Sequence, residues 1–141
     1  MNNEDNIITI GSTKLWTDAK DILYCKFSSN DPNSQLDSIR ANKYINAIAL
    51  LCNGKAMPFS IDLRGSRGTF LPNAAILIAN SPTLKKLRIS EAFITDSIGI
   101  KLLIASYKRI YDPTTPYRIL NNTELAQHYC KETKNKFYGS N

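Results

Sequence analysis

The sequence predicts an α/β domain built on one mixed β-sheet, and three observations predict it. Near the N-terminus two short apolar runs, residues 7–10 (IITI) and 13–17 (TKLWT), flank Gly11 at hairpin spacing. Further along, apolar strand-like runs alternate with stretches in which apolar residues recur every three or four positions, the signature of helices between strands. Finally, Met57 to Phe70 (MPFSIDLRGSRGTF) passes from an apolar strand straight into an acid and a basic, glycine-rich turn. Hairpin-linked strands pair antiparallel and strands joined through helices pair parallel, so the early strands form hairpins and the later ones a parallel array.

The elements follow in order. The two opening strands are joined by Ile22 to Phe27 (ILYCKF) as a third, after a polar turn at Asp18 to Asp21. Ser28 to Ser34 (SSNDPNS) is a loop, with Asp31-Pro32 and a following Asn or Ser placed to cap a helix. Gln35 to Asn53 reads as that helix, with Ala41, Tyr44, Ile45, Ile48 and Cys52 as its buried stripe and Asn53-Gly54 as its stop. The strand through Phe59, Ile61 and Leu63 follows, then the Gly65 to Gly68 turn and a short helix over Leu71 to Ile78. Asn80, Ser81 and Pro82 interrupt it, and Thr83 to Leu87 adds a turn.

Arg88 to Thr95 (RISEAFIT) is nearly continuous in apolar residues and reads as a strand buried on both faces. Asp96 or Ser97 caps a helix over Ile98 to Tyr111, which Asp112 to Pro116 ends. Tyr117 to Leu120 is the last strand, and Asn121 or Asn122 caps a final helix from Thr123 to Glu132. Residues 1–132 are read as a single domain and 133–141 as a polar tail that frays.

Composition narrows the function classes. The chain has 141 residues, enough for one real core, with 43% hydrophobic and 21% charged residues, a balance that folds. Its net charge of +6 is spread along the sequence, the densest groups being Lys85, Lys86 and Arg88, and Lys108 with Arg109. Nucleic-acid modules concentrate charge more strongly, so none is expected as partner. Three cysteines, Cys25, Cys52 and Cys130, form no close pair, which argues against disulfides and zinc. The polar, acidic start is unlike a secretory signal, and no apolar run reaches the roughly 20 residues of a membrane span. A cytoplasmic protein without membrane association is expected.

The order of elements, and several residues in them, resemble the SpoIIAA-like members of the STAS-like superfamily (sulfate transporter and anti-sigma factor antagonist), in particular an uncharacterised bacterial branch of small stand-alone domains. The resemblance spans roughly Leu15 to Cys130. It rests on the aromatic strand start at Trp16, the N-G-K-x-x-P-F-S-I-D-L-R run from Asn53 to Arg64, the I-x-x-A-F-I strand, and the Y-R-I-L strand with its Asn cap. It implies a regulatory or protein-interaction module that docks through the loop after the central strand. In anti-sigma factor antagonists that loop presents a serine phosphorylated by a partner kinase, and by register from Asp62 the corresponding place holds Leu71 and Pro72, which accept no phosphate. Ser66 and Thr69 are the nearby hydroxyls and stand as candidate phosphoacceptors.

No residue set amounts to a catalytic signature, and no cofactor or metal is expected. The candidate interaction or anion-binding loop comprises Asp62, Arg64, Ser66, Arg67 and Thr69: guanidinium groups, hydroxyls and backbone N–H groups near a helix start. The competing reading has the glycines making a tight turn, the arginines solvated, and Asp62 paired with Arg64 or Lys55. A second function, a small-molecule or anion-binding domain, places its pocket beneath the same loop. His128, the lone histidine, lies two residues from Cys130 and so faces away from it on a helix. Phe70, Tyr111 and Tyr117 are candidate interface aromatics, consistent with a protein partner or a homodimer.

Overall fold

A computed structural model of the chain describes residues 7–28, 35–66, 69–70 and 72–139. Strands β1 (Ile7–Ile10), β2 (Thr13–Thr17) and β3 (Leu23–Lys26) form an antiparallel meander. A two-residue connection at Gly11 and Ser12 closes the first hairpin, and Gly11 takes the left-handed φ of 60° that such a turn requires. Between β2 and β3, the Asp18 side chain accepts the Lys20 N–H and Asp21 adopts a left-handed φ of 58°. Lys55 reaches Asp21 at 2.8 Å and ties this turn to the chain before the central strand.

A two-residue strand, β4 (Gln35–Leu36), precedes helix α1 (Ser38–Cys52) and pairs in parallel with β6 (Thr69–Phe70). The helix therefore begins three residues later than its apolar periodicity suggests, because Gln35 and Leu36 are held extended by that pairing. Asp37 supplies the cap, its Oδ1 accepting the Arg40 N–H at 2.8 Å. The capping residues expected within 29–34 lie outside the described residues. At the other end Asn53 (φ 49°) and Gly54 (φ 82°) both enter the left-handed region and stop the helix as expected.

Strand β5 (Met57–Asp62) lies parallel to β3 and to β7 (Arg88–Ile94), and β8 (Tyr117–Leu120) extends the sheet beside β7. The order across the sheet is β1-β2-β3-β5-β7-β8, antiparallel first and parallel after, as the linkages predict. The β5–β7 register shifts between Met57 and Phe59, where Pro58 has no N–H to give the ladder. Between β5 and β7 lie α2 (Pro72–Asn80) and α3 (Pro82–Leu87), separated at Ser81, whose hydroxyl caps α3 by accepting the Leu84 N–H. Helix α4 (Ile98–Tyr111), capped by Ser97, connects β7 to β8.

Helix α5 (Thr123–Phe137), capped by Asn122, runs five residues beyond its expected end. Its last turn is anchored where local composition gives no hint: Lys134 Nζ donates to the Lys20 carbonyl at 2.9 Å, and the Tyr138 hydroxyl to the Ala56 carbonyl at 2.6 Å. Residues 133–137 thus continue the helix, beside tertiary bonds to two distant segments.

The sheet divides the core. On one face Leu15, Leu23, Cys25 and Phe59 pack with Tyr44, Ala47, Ile48 and Cys52 of α1 and Leu84 and Leu87 of α3. On the other, Tyr24, Ala92 and Ile94 pack with Ala126, Tyr129 and Cys130 of α5. Trp16 stacks on Tyr24 at 5.2 Å on this second face. All three thiols are buried, and burial raises Cys25 and Cys130 to about 12 and Cys52 to about 11, so each is an inert apolar group at neutral pH.

Candidate functional site

The sheet splits the residues expected to form one loop site. Asp62 follows Ser60 on the α5 face, in register with Ile94 and Leu120. Its carboxylate accepts from Arg64 Nε at 3.0 Å, from Arg64 Nη2 at 2.8 Å and from the Arg64 N–H at 3.0 Å. Arg64 Nη2 also reaches Thr123 Oγ1 at 3.1 Å, joining the loop to the start of α5. Burial pushes the Asp62 carboxyl up, but the bonds from Arg64 outweigh it and hold the group below the usual carboxylate range. The guanidinium of Arg64 is thus engaged by a fork of the kind an anion would otherwise occupy.

Ser66 goes to the opposite side, lining a cavity between the sheet and α1, α2 and α4. Gly65 sits so close to the end of β3 that a Cβ there would lie 3.3 Å from the Phe27 carbonyl oxygen, a tight approach that the glycine avoids. Thr69 lies on β6, and Arg67 lies outside the described residues, as does Leu71; Pro72 opens α2. His128 is exposed on α5 while Cys130 is wholly buried, and no paired nucleophile arises from them. Among the described residues no group of three or more His, Cys, Asp or Glu is placed to hold a metal ion.

The cavity has a volume of about 230 Å³ and runs along the sheet from the loop after β5 to the start of β7. Its walls are mostly apolar: Phe59, Ile61 and Phe93 from the sheet, Ile45 and Ile48 from α1, and Leu103 and Ile104 from α4. Thr13 and Tyr44 meet at its loop end, with their hydroxyls 3.1 Å apart. Helix α4 buries only Ile104 and Lys108. A lining of this kind holds water poorly and suits an apolar occupant.

At the other end of the cavity lies a charge network that sequence reasoning missed. Glu91, in the middle of β7, faces the cavity in register with Phe59. Lys108 Nζ donates to Glu91 Oε1 at 2.6 Å and to Asp112 Oδ2 at 2.8 Å, and Arg88 Nη2 stands 3.5 Å from that same Asp112 oxygen. The side chains of Arg88, Lys108, Glu91 and Asp112 are 1%, 3%, 4% and 4% exposed, so two cations and two anions are removed from water together. The Tyr117 ring covers Lys108 Nζ at 5.2 Å from its centroid. Arg88 and Lys108, which belong to the densest basic groups of the sequence, lie in the core. The available signal was Glu91 itself, a carboxylate inside a strand read as buried on both faces, which demands a cation nearby.

Burial pushes the Asp112 carboxyl up, yet the bonds from Lys108 and Thr115 and the charge of Arg88 bring it below the ordinary range. The folded value thus lies beneath the unfolded one of about 3.9, so its stabilising contribution is complete above that pH and is lost as pH falls through the folded value. The urea midpoint should accordingly drop on acidification below about pH 4, and drop less steeply in Asp112→Asn. Equal steepness in the two proteins would assign the acid loss to other carboxylates.

Among the described residues no helix is long and apolar enough to cross a membrane. Together the six-stranded mixed sheet, the crossover helices and the strand-end loop are those of the SpoIIAA-like α/β fold. The crystal structure of an uncharacterised protein from the DUF3478 family with a SpoIIAA-like fold, from Shewanella loihica PV-4, superposes with a TM-score of 0.58, covering 89% of this chain and 94% of that one at 11% identity. The chain belongs to the family described as Domain of unknown function (DUF7793), whose model matches residues 15–134. No curated protein matches it.

Proposed function

We propose that this domain is a non-enzymatic regulatory module that holds a compact, largely apolar small molecule between its sheet and helices and presents the loop after β5 to a protein partner. The observation that carries the reading is the cavity of about 230 Å³, apolar over most of its wall and reaching the loop at Ser66. Small-molecule sites are mostly apolar clefts with a few placed polar groups, and this one falls just below their usual range of roughly 300–1,000 Å³, which limits it to a compact occupant. Ser66 belongs to both the cavity wall and the loop, so an occupant touches the surface that a partner would read. This favours a pocket beneath the loop over the anion-binding loop itself, because Asp62 already occupies Arg64.

Filling the cavity tests the reading. Ala75, 2% exposed on α2, lines the cavity, and Ala75→Leu places three more carbons against it. The expected result is that wild type gains thermal stability from small apolar probes and Ala75→Leu loses that gain while staying folded. Unchanged response in the variant, or no response in wild type across a panel of such probes, would remove the ligand reading. For the docking half, alanine at Arg64, Ser66 and Arg67 together should release co-purifying partners; partners retained by that variant would place docking elsewhere.

A further inference from the structure

Arg88, in the cavity wall, has incomplete bonding among the described residues. Its side chain is 1% exposed, yet Nε and Nη2 have no hydrogen-bond partner, and Nη1 makes only a long 3.4 Å contact to the Ile78 carbonyl. The reason lies in Asp112. Its Oδ2 already accepts from Lys108 at 2.8 Å, and its Oδ1 accepts from the Thr115 N–H at 3.2 Å and the Thr115 hydroxyl at 3.0 Å. Those bonds hold Asp112 toward Lys108 and Thr115, so its Oδ2 stands 3.5 Å from Arg88 Nη2 and offsets its charge without making a hydrogen bond. Leaving guanidinium donors unbonded in a buried site is costly, and an acceptor delivered by an occupant relieves that cost.

Charge decides what kind of acceptor. Arg88 and Lys108 are already matched one for one by Glu91 and Asp112, and Glu91 itself lines the same cavity. A carboxylate or phosphate would add an unmatched negative charge in a desolvated site beside Glu91, which the existing cations cannot offset without giving up their present partners. An uncharged carbonyl oxygen adds no net charge and still gains a charge-assisted bond. Building on the cavity reading above, we infer that the occupant is a compact apolar molecule bearing a neutral carbonyl, as in an ester, ketone or lactone, with the carbonyl oxygen on Arg88 and the apolar part along Phe93 and Ile104.

The test compares heptane, methyl hexanoate and sodium hexanoate as probes of the full chain, followed by methyl-detected NMR at Ile104. Methyl hexanoate should bind about tenfold more tightly than heptane, the scale of one hydrogen bond to a charged group, and hexanoate more weakly than its ester. Arg88→Lys, which keeps the charge but removes the guanidinium donors, should abolish the preference for the ester while heptane still binds. Equal affinity of heptane and ester in wild type, as when water satisfies Arg88 instead, overturns the inference and leaves the cavity reading standing. So does tighter binding of hexanoate than of the ester. Failure of all three probes to shift Ile104 in wild type overturns the cavity reading and the inference with it. The comparison among probes in wild type stands even if the Arg88 variant does not fold.

Discussion

Replacing Lys108 by methionine is expected to cost the domain about 3–5 kcal/mol, the scale seen when one partner of a buried ion cluster is removed. Lys108 is the hub: its ammonium is 2.6 Å from Glu91 and 2.8 Å from Asp112, and both carboxylates are buried. Methionine fills a similar volume, so the loss measures stranded charge and not a hole. Among the described residues Glu91 would then have no cation at bonding distance, and Asp112 only Arg88 at 3.5 Å. Urea unfolding followed by Trp16, the sole tryptophan, reports the change. The double change Lys108→Met and Glu91→Gln should recover part of the loss, since it removes that pair of charges together and leaves Asp112 beside Arg88. A loss under about 1 kcal/mol for Lys108→Met would mean that the network is solvated and its residues belong to the surface.

Phe59→Ala should cost about 3–5 kcal/mol, as large-to-small changes in well-packed cores do. Phe59 is 3% exposed on the central strand β5, between Leu23 of β3 and Glu91 of β7 in register. Its ring also forms part of the cavity wall. The space left by truncation therefore opens into an existing cavity, and neighbours cannot close on it from that side, so the loss belongs near the upper end of the range. Ile94→Val, on the α5 face away from the cavity, should cost only about 0.5–1.5 kcal/mol. Chemical denaturation of the two variants compares them directly. Similar losses would contradict the assignment of the cavity to the Phe59 face.

Much of the fold is legible in the sequence because the signals that carry it are short-range. Gly11 between two apolar pairs sets the first hairpin, Asn53-Gly54 ends α1, Ser97 and Asn122 cap α4 and α5, and Asp112 to Pro116 ends α4. Each depends on a few adjacent residues and on backbone geometry that those residue types favour. The errors have long-range causes. Gln35 and Leu36 are extended because β6 lies beside them, and 133–137 stays helical because Lys134 and Tyr138 find carbonyls far away in sequence.

The candidate site was less legible, for a related reason. Asp62 and Ser66 are four residues apart and read as one loop, but strand alternation and the turn at Gly65 send them to opposite faces of the sheet. Arg88 and Lys108 have side chains that usually remain in water, and only the neighbours assembled by folding make their burial tolerable. Residue order alone specifies the alternation of strands and helices, most of their ends, the antiparallel-then-parallel order, and the loop after β5 as the marker of the fold. Packing settles which cation Asp62 engages, places a cavity beneath that loop, and gathers Arg88, Glu91, Lys108 and Asp112 into a desolvated network. Caps and periodicity act between neighbours in the chain, whereas desolvation and cavity shape depend on residues that become neighbours only when the sheet and helices pack.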